Sequence, residues 1–144
     1  MIRIAVMTCL MLLCGGLVYA EGKDDKGAQP AEATGAAIYI PLRPEFVVNY
    51  GDGHGKNKFL RAEITVRLAN SAAADSVRHH LPYIRNQLVF LFSSQTDETL
   101  QSQDGREAMR EQALQEVRDV LNSEDGLDPK SVVDVLFNAL TWQG

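Results

Sequence analysis

His54, His79 and His80 are the only histidines in this chain of 144 residues, and an acid–base pair or a metal site would have to be built around them. His79 and His80 are adjacent, so on a helix their side chains point about 100° apart and do not readily share one ion. His54 lies in Gly51-Asp52-Gly53-His54-Gly55-Lys56-Asn57, which has the glycines of a phosphate cradle. It lacks the Lys-Ser/Thr and the helix that complete one, and three glycines with an asparagine suit a hairpin longer than the tightest turn. Ser93-Ser94 could supply a nucleophile, yet no Gly-x-Ser-x-Gly elbow is present. Asp24-Asp25, flanked by Lys23 and Lys26, has the charge for a cation but the composition of a solvated run. Cys9 and Cys14 are the only cysteines, and both sit inside an apolar stretch. The remainder of the chain therefore has no disulfide, no thiol nucleophile and no cysteine ligand. No catalytic residue, metal ligand or cofactor is assigned from these residues, and a non-catalytic binding protein is expected.

With 45% apolar and 23% charged residues, the composition is that of a globular protein. A formal net charge of −5 and the lack of a long Lys/Arg cluster argue against nucleic acid as a partner. Met1-Ile2-Arg3 followed by apolar Ile4 to Val18, with Val18-Tyr19-Ala20 before Glu21, has the form of an export leader over residues 1–20. The same stretch is long enough for a retained membrane tether through residues 4–20, so cleaved leader and anchor both stand. Leu13 before Cys14 disfavours lipid attachment. Residues 21–37, rich in Gly, Ala, Lys and Asp, read as a flexible linker. One ordered domain, 38–144, is expected beyond it, placed outside the cytoplasm by the leader. A generic periplasmic metal-binding protein or hydrolase is the alternative to a binding role.

The elements follow from periodicity. Ile38 to Tyr50 is rich in β-branched and aromatic residues, but Pro41 and Pro44 confine its first half to an edge or an extended segment, leaving Phe46-Val47-Val48 as the strand proper. From Lys58 to Ala69, Leu60, Ala62, Ile64, Val66 and Leu68 alternate with Arg61, Glu63, Thr65 and Arg67, the pattern of a strand with one buried face. Val77, Leu81, Ile84, Leu88 and Leu91 then recur at three and four. They predict a helix capped by Ser71 or Asp75, with Pro82 either kinking it or opening a helix near His80. A second helix is predicted over Asp104 to Asn122, with Met109, Ala113, Val117 and Val120 or Leu121 inward, Glu107 pairing Arg110, and Gly126 ending it. Ser131 to Trp142 predicts a closing strand with Val133, Val135 and Phe137 on one face and Asp134, Leu136 and Asn138 on the other. Trp142 is a packing residue or an interface residue. The expected fold is α+β, a small antiparallel-rich sheet with two helices packed on one face, in the order β-β-α-α-β.

Several segments, in order, resemble the FliL family of flagellar basal-body-associated proteins over residues 38 to 143. They are Tyr39-Ile40-Pro41-Leu42 with Phe46-Val47-Val48-Asn49, then Phe59-Leu60, Leu81-Pro82-Tyr83-Ile84-Arg85-Asn86, Asp104-Gly105-Arg106-Glu107 and Leu121-Asn122, with a final strand to Gln143. The resemblance departs at the N-terminus, where Arg3 is the only charge before the apolar run. It departs again at Leu136-Phe137-Asn138-Ala139-Leu140-Thr141, as in a divergent paralogue. It implies a stomatin-like periplasmic domain on the inner membrane, assembling as a homo-oligomeric ring around flagellar stator proteins in support of motility, without covalent chemistry. Arg61, Glu63 and Arg67 on the polar strand face, with Arg85, Arg106 and Arg110 on the helices, are the candidate contact residues for such partners. The plainer function for these charges is to keep their faces hydrated.

Overall fold

The computed structural model describes residues 36–51 and 58–143. The expected leader 1–20, most of the linker 21–37, Cys9, Cys14, Asp24-Asp25 and His54 lie outside the described residues. The chain runs through β1 (Ile38–Pro41), β2 (Phe46–Asn49), β3 (Phe59–Leu68), α1 (Ser71–His79), α2 (Leu81–Ser93), α3 (Asp97–Gln101) and α4 (Gln103–Asp125). A 3₁₀ turn at Pro129–Ser131 then leads into β4 (Val132–Gln143).

β3 is the strand every other strand pairs with, because its ten alternating residues offer the longest continuous ladder. β4 lies antiparallel along one side, from Leu68↔Val132 to Phe59↔Gln143. The other side is shared end to end: β1 pairs with Thr65 to Leu68 and β2 with Phe59 to Ala62. Between them Leu42 to Glu45, with a cis Arg43–Pro44 bond, stands opposite Glu63 and Ile64. The expected single first strand is thus two, and the prolines are the reason. Pro41 ends one ladder and Pro44 lacks the amide donor that would have continued it.

Leu60, Ala62, Ile64, Val66 and Leu68 face the helices and are almost fully buried. Val77, Ile84, Leu88, Met109, Ala113, Val117 and Leu121 close over them, as their spacing predicted; Phe92 joins them unannounced, while Leu81 and Leu91 are only partly buried. Phe92 stands edge-on to both Phe46 and Phe137, at centroid distances of 5.4 and 6.0 Å, tying α2 to the sheet.

The α+β class holds, while the order becomes β-β-β-α-α-α-α-β, and each difference has a local cause. Of the two outcomes left open at Pro82, the structure shows the second, a helix that opens beside His80, so the stretch from Val77 to Leu91 holds two helices. α1 is capped by Asn70, whose side chain accepts from Ala73 N–H at 2.9 Å, rather than by Ser71 or Asp75. It ends at His80, and Pro82 occupies the first turn of α2, where its missing donor leaves no bond broken. α3 was not anticipated, because five residues with one buried member, Leu100, carry no readable period. α4 begins at the Ser102 cap and ends at Gly126, whose φ of 64° is a left-handed conformation that glycine adopts without strain. In β4 the expected strict alternation fails. The register slips between Arg67 and Leu68 and again between Glu63 and Ile64, leaving Val133 and Asn138 as extra residues. Val132 and Val135 are therefore buried and Val133 exposed.

Candidate protein-docking surface

The face of the sheet turned away from the helices carries Arg61, Glu63 and Arg67 from β3, as their alternation predicted, together with exposed Tyr39, Val47 and Phe59. Cross-strand pairing sets their neighbours. Tyr39 stands beside Arg67 and Val47 beside Arg61, so apolar and cationic side chains interleave. Arg61 is bound to Glu45, with Nε and a terminal nitrogen 2.7 and 2.6 Å from one carboxylate oxygen. Glu63 is exposed beside the Leu42–Glu45 interruption. The half-buried Arg67 leaves its Nε without a hydrogen-bond partner among the described residues. The aromatic and aliphatic members of this face were legible only as strand residues. Their exposure depends on which face the helices cover, and that is a tertiary fact.

The three helical arginines named from the sequence are engaged within the chain. Arg85 donates to the carbonyls of Leu42 and Pro44, at 3.2 and 2.6 Å, and its guanidinium lies 4.2 Å from the centre of the Phe46 ring. Burial pulls its pKa below the ordinary guanidinium value. Arg106 donates to Leu100 and Gln101 carbonyls at 2.7 and 3.0 Å, closing the α3–α4 corner. Arg110 pairs with Glu107, as its spacing predicted, and with Asp134 of β4. Hydrogen bonding to Glu107 is the largest cause of its raised pKa, and it holds the Glu107 carboxyl below the usual range.

Two polar clusters have the residue types of chemistry. In one, Asp125 accepts from the buried Ser76 hydroxyl, and His80 Nε2 lies 3.1 Å from its other oxygen without hydrogen-bond alignment. The carboxylate sits between serine and imidazole, whereas a nucleophilic serine needs the imidazole directly on its hydroxyl. These contacts, Ser76 first, hold Asp125 below the usual carboxylate range. They tie α1 to the end of α4. In the other, Asp97 accepts from Tyr50 at 2.8 Å and pairs with Lys58, fastening the ends of β2 and β3 to α3. Ser93 and Ser94 belong to the end of α2, where Ser94 donates to the Leu91 carbonyl at 2.8 Å. His79 and His80 meet edge to face at the α1–α2 corner, with ring centres 4.7 Å apart. Among the described residues no group of three or more His, Cys, Asp or Glu side chains is placed to hold a metal ion, and no helix is long and apolar enough to cross a membrane.

Comparison with known proteins bears on what such a surface serves. Residues 39–143, from the first strand to the end of the last, match the family model for the flagellar basal body-associated protein FliL. The chain belongs to the FliL family. The flagellar protein FliL of Escherichia coli strain K12 is 30% identical over 118 residues, covering 81% of this chain and 70% of that protein. The flagellar protein FliL of Aquifex aeolicus is 30% identical over 90 residues. That match covers 62% of this chain and about half, 55%, of the Aquifex protein. The FliL match begins and ends within one residue of the resemblance drawn from the strand and helix segments. This is a flagellar basal-body-associated protein by family, and its sheet and helices are the part the family model describes.

Proposed function

We propose that this FliL-family chain is a non-catalytic, exported accessory of the flagellar motor that self-associates and grips the periplasmic part of the stator to support motility. In this reading residues 1–20 export or tether it, residues 21–37 set its reach, and 38–144 form the periplasmic binding domain. The observation that carries it is the outer sheet face. Tyr39, Val47 and Phe59 stand exposed between Arg61, Glu63 and Arg67, in a domain whose other face is closed by helices. Aromatic and arginine side chains on a rigid sheet are the composition that protein interfaces favour, and they need no bound group to act. Arg61, Glu63 and Arg67 are the contact residues, while Arg85, Arg106 and Arg110 support the scaffold.

The test is affinity capture of the full-length protein from crosslinked, motile cells. Wild type should bring down the stator, and Val47→Asp, which alters an exposed position, should recover several-fold less at equal abundance. Equal stator recovery from both proteins would remove the outer face from the mechanism. Absence of stator from the wild-type capture, with swimming unchanged when the gene is deleted, would remove the motor role itself.

A further inference from the structure

α2 carries one charge, Arg85, and that guanidinium is turned to the carbonyls of Leu42 and Pro44. At about 100° per residue, Pro82, Tyr83, Asn86, Val89 and Phe90 share the face opposite the buried Ile84, Leu88 and Phe92. All five are exposed, and Phe90, at 65%, is the most exposed of the large apolar side chains among the described residues. The helix thus has two uncharged sides, one closed by the core and one open. Water-facing helix surfaces ordinarily carry charge, as α4 does, so an uncharged face with two aromatic rings marks a contact.

What covers this face must work through a small area. Tyr83, Val89 and Phe90 offer roughly a few hundred Å2, well short of the ~1,200 Å2 or more that a stable protein interface buries. A surface to which the chain is already tied needs far less. Ile4 to Val18 is an apolar run long enough to stay in a bilayer, and the linker over residues 21–37 ends where β1 begins. A flexible segment of that length spans about 20–25 Å on average, which keeps the domain at an effective concentration of about millimolar beside the membrane. The net charge of −5 argues against an electrostatic grip on phosphate head groups, whereas Tyr83 and Asn86 suit the polar boundary of a bilayer and Val89 and Phe90 its apolar side.

We propose that this face of α2 lies on the phospholipid bilayer in which residues 4–20 are anchored, with Val89 and Phe90 entering the head-group boundary. The contact is apolar and needs no anionic lipid. It rests on the tethered form of the reading given under the proposed function and deepens it, by setting how the domain stands on the membrane. The stripe is on the helix side of the domain, so the outer sheet face stays free for the stator.

Fluorescence quenching reads the contact, using the full-length chain with Cys9→Ser and Cys14→Ser in vesicles of phosphatidylethanolamine and phosphatidylglycerol. A fluorophore on Asn86→Cys should be quenched by nitroxide-bearing lipids several-fold more than one on Glu124→Cys of α4 or Val47→Cys of the outer sheet face, all three positions being exposed. Iodide in the water should quench it less than either. The difference should persist at high salt and in phosphatidylcholine alone, and Phe90→Asp should abolish it while stator capture from cells stays at the wild-type level. A label on Leu12→Cys reports the tether separately. If lipid quenches Leu12→Cys but quenches Asn86→Cys no more than Glu124→Cys, the α2 contact is wrong and the tether stands. If Leu12→Cys is not quenched, the tethered form of the reading fails and the contact with it. Quenching at Asn86→Cys that disappears at high salt overturns the apolar contact. Shielding of Asn86→Cys in native membranes but not in vesicles holding this chain alone would mean that a protein covers α2, and the lipid contact would be overturned.

Discussion

Gly105 shows how a single missing carbon can set a corner. A Cβ there would lie 2.4 Å from the Thr99 carbonyl oxygen and 2.8 Å from the Thr99 Cα, inside the tight passage from α3 to α4. Helix propensity favours alanine over glycine by about 1 kcal/mol, but the colliding atoms are backbone and have little room to yield. Gly105→Ala should therefore lower unfolding free energy by about 1–2 kcal/mol, read as a reduced urea midpoint. Asp97 makes a pH prediction. Lys58 above all, and then Tyr50, hold its carboxyl below the ordinary carboxylate value, so its folded pKa is depressed relative to the unfolded chain. The sign follows: its contribution is fully present above the ordinary carboxylate value and is lost as pH falls through the depressed one. Asp97→Asn should flatten that acid limb of the melting-temperature profile relative to wild type. Tyr50 works in the opposite direction. Burial first, then the bond to Asp97, pushes its hydroxyl up to about 12, so its share is complete below the ordinary tyrosine value and is lost as pH rises through about 12. None of the three members of this cluster announced itself, because Tyr50, Lys58 and Asp97 are distant in sequence and belong to three different segments.

Among the elements, the join between β1 and β2 depends on a residue from a helix. Arg85 of α2 satisfies the carbonyls of Leu42 and Pro44 and stacks its cation over Phe46. A lysine keeps the charge but not the planar fork, so Arg85→Lys should cost about 1–2 kcal/mol, measurable by thermal denaturation. Phe92 meets the same ring edge-on and is fully buried between Phe46 of β2 and Phe137 of β4. Phe92→Ala should cost about 3–5 kcal/mol by emptying that site, and denaturant titration would report it. Helix periodicity made Leu88 and its neighbours readable as core. It could not show that Pro82 separates two helices rather than bending one, since both outcomes keep the same residues inward. The closing strand was legible as a strand and misread as to faces, because a bulge leaves no mark in composition and shifts every later residue by one.

At the scale of the whole molecule, helices on one face leave the other face of the sheet wet, and the residues there are available for partners. Arg67→Gln removes a cation whose Nε has no hydrogen-bond partner among the described residues, and it places no like charge opposite Asp134. It should reduce stator capture several-fold while lowering the melting temperature by only a few degrees, about 1 kcal/mol of stability. A large loss of melting temperature would instead mark Arg67 as part of the scaffold. Exposed Tyr83 and Phe90 on α2 offer a control, since charge at Phe90 leaves the outer sheet face untouched and should leave capture unchanged.

The α+β class, the alternating strand at the centre of the sheet and the inward stripes of the helices were legible in the amino-acid sequence, because they follow from periodicity along the chain, a local property. The FliL family was legible there in another way, through the likeness of ordered segments to those of its members. Tertiary structure decided the rest: which arginines are tied down, where β4 slips, and which apolar side chains remain outside. Those outcomes depend on contacts between residues far apart in the chain, such as Arg85 with Pro44 and Arg110 with Asp134, and no local pattern encodes such a meeting.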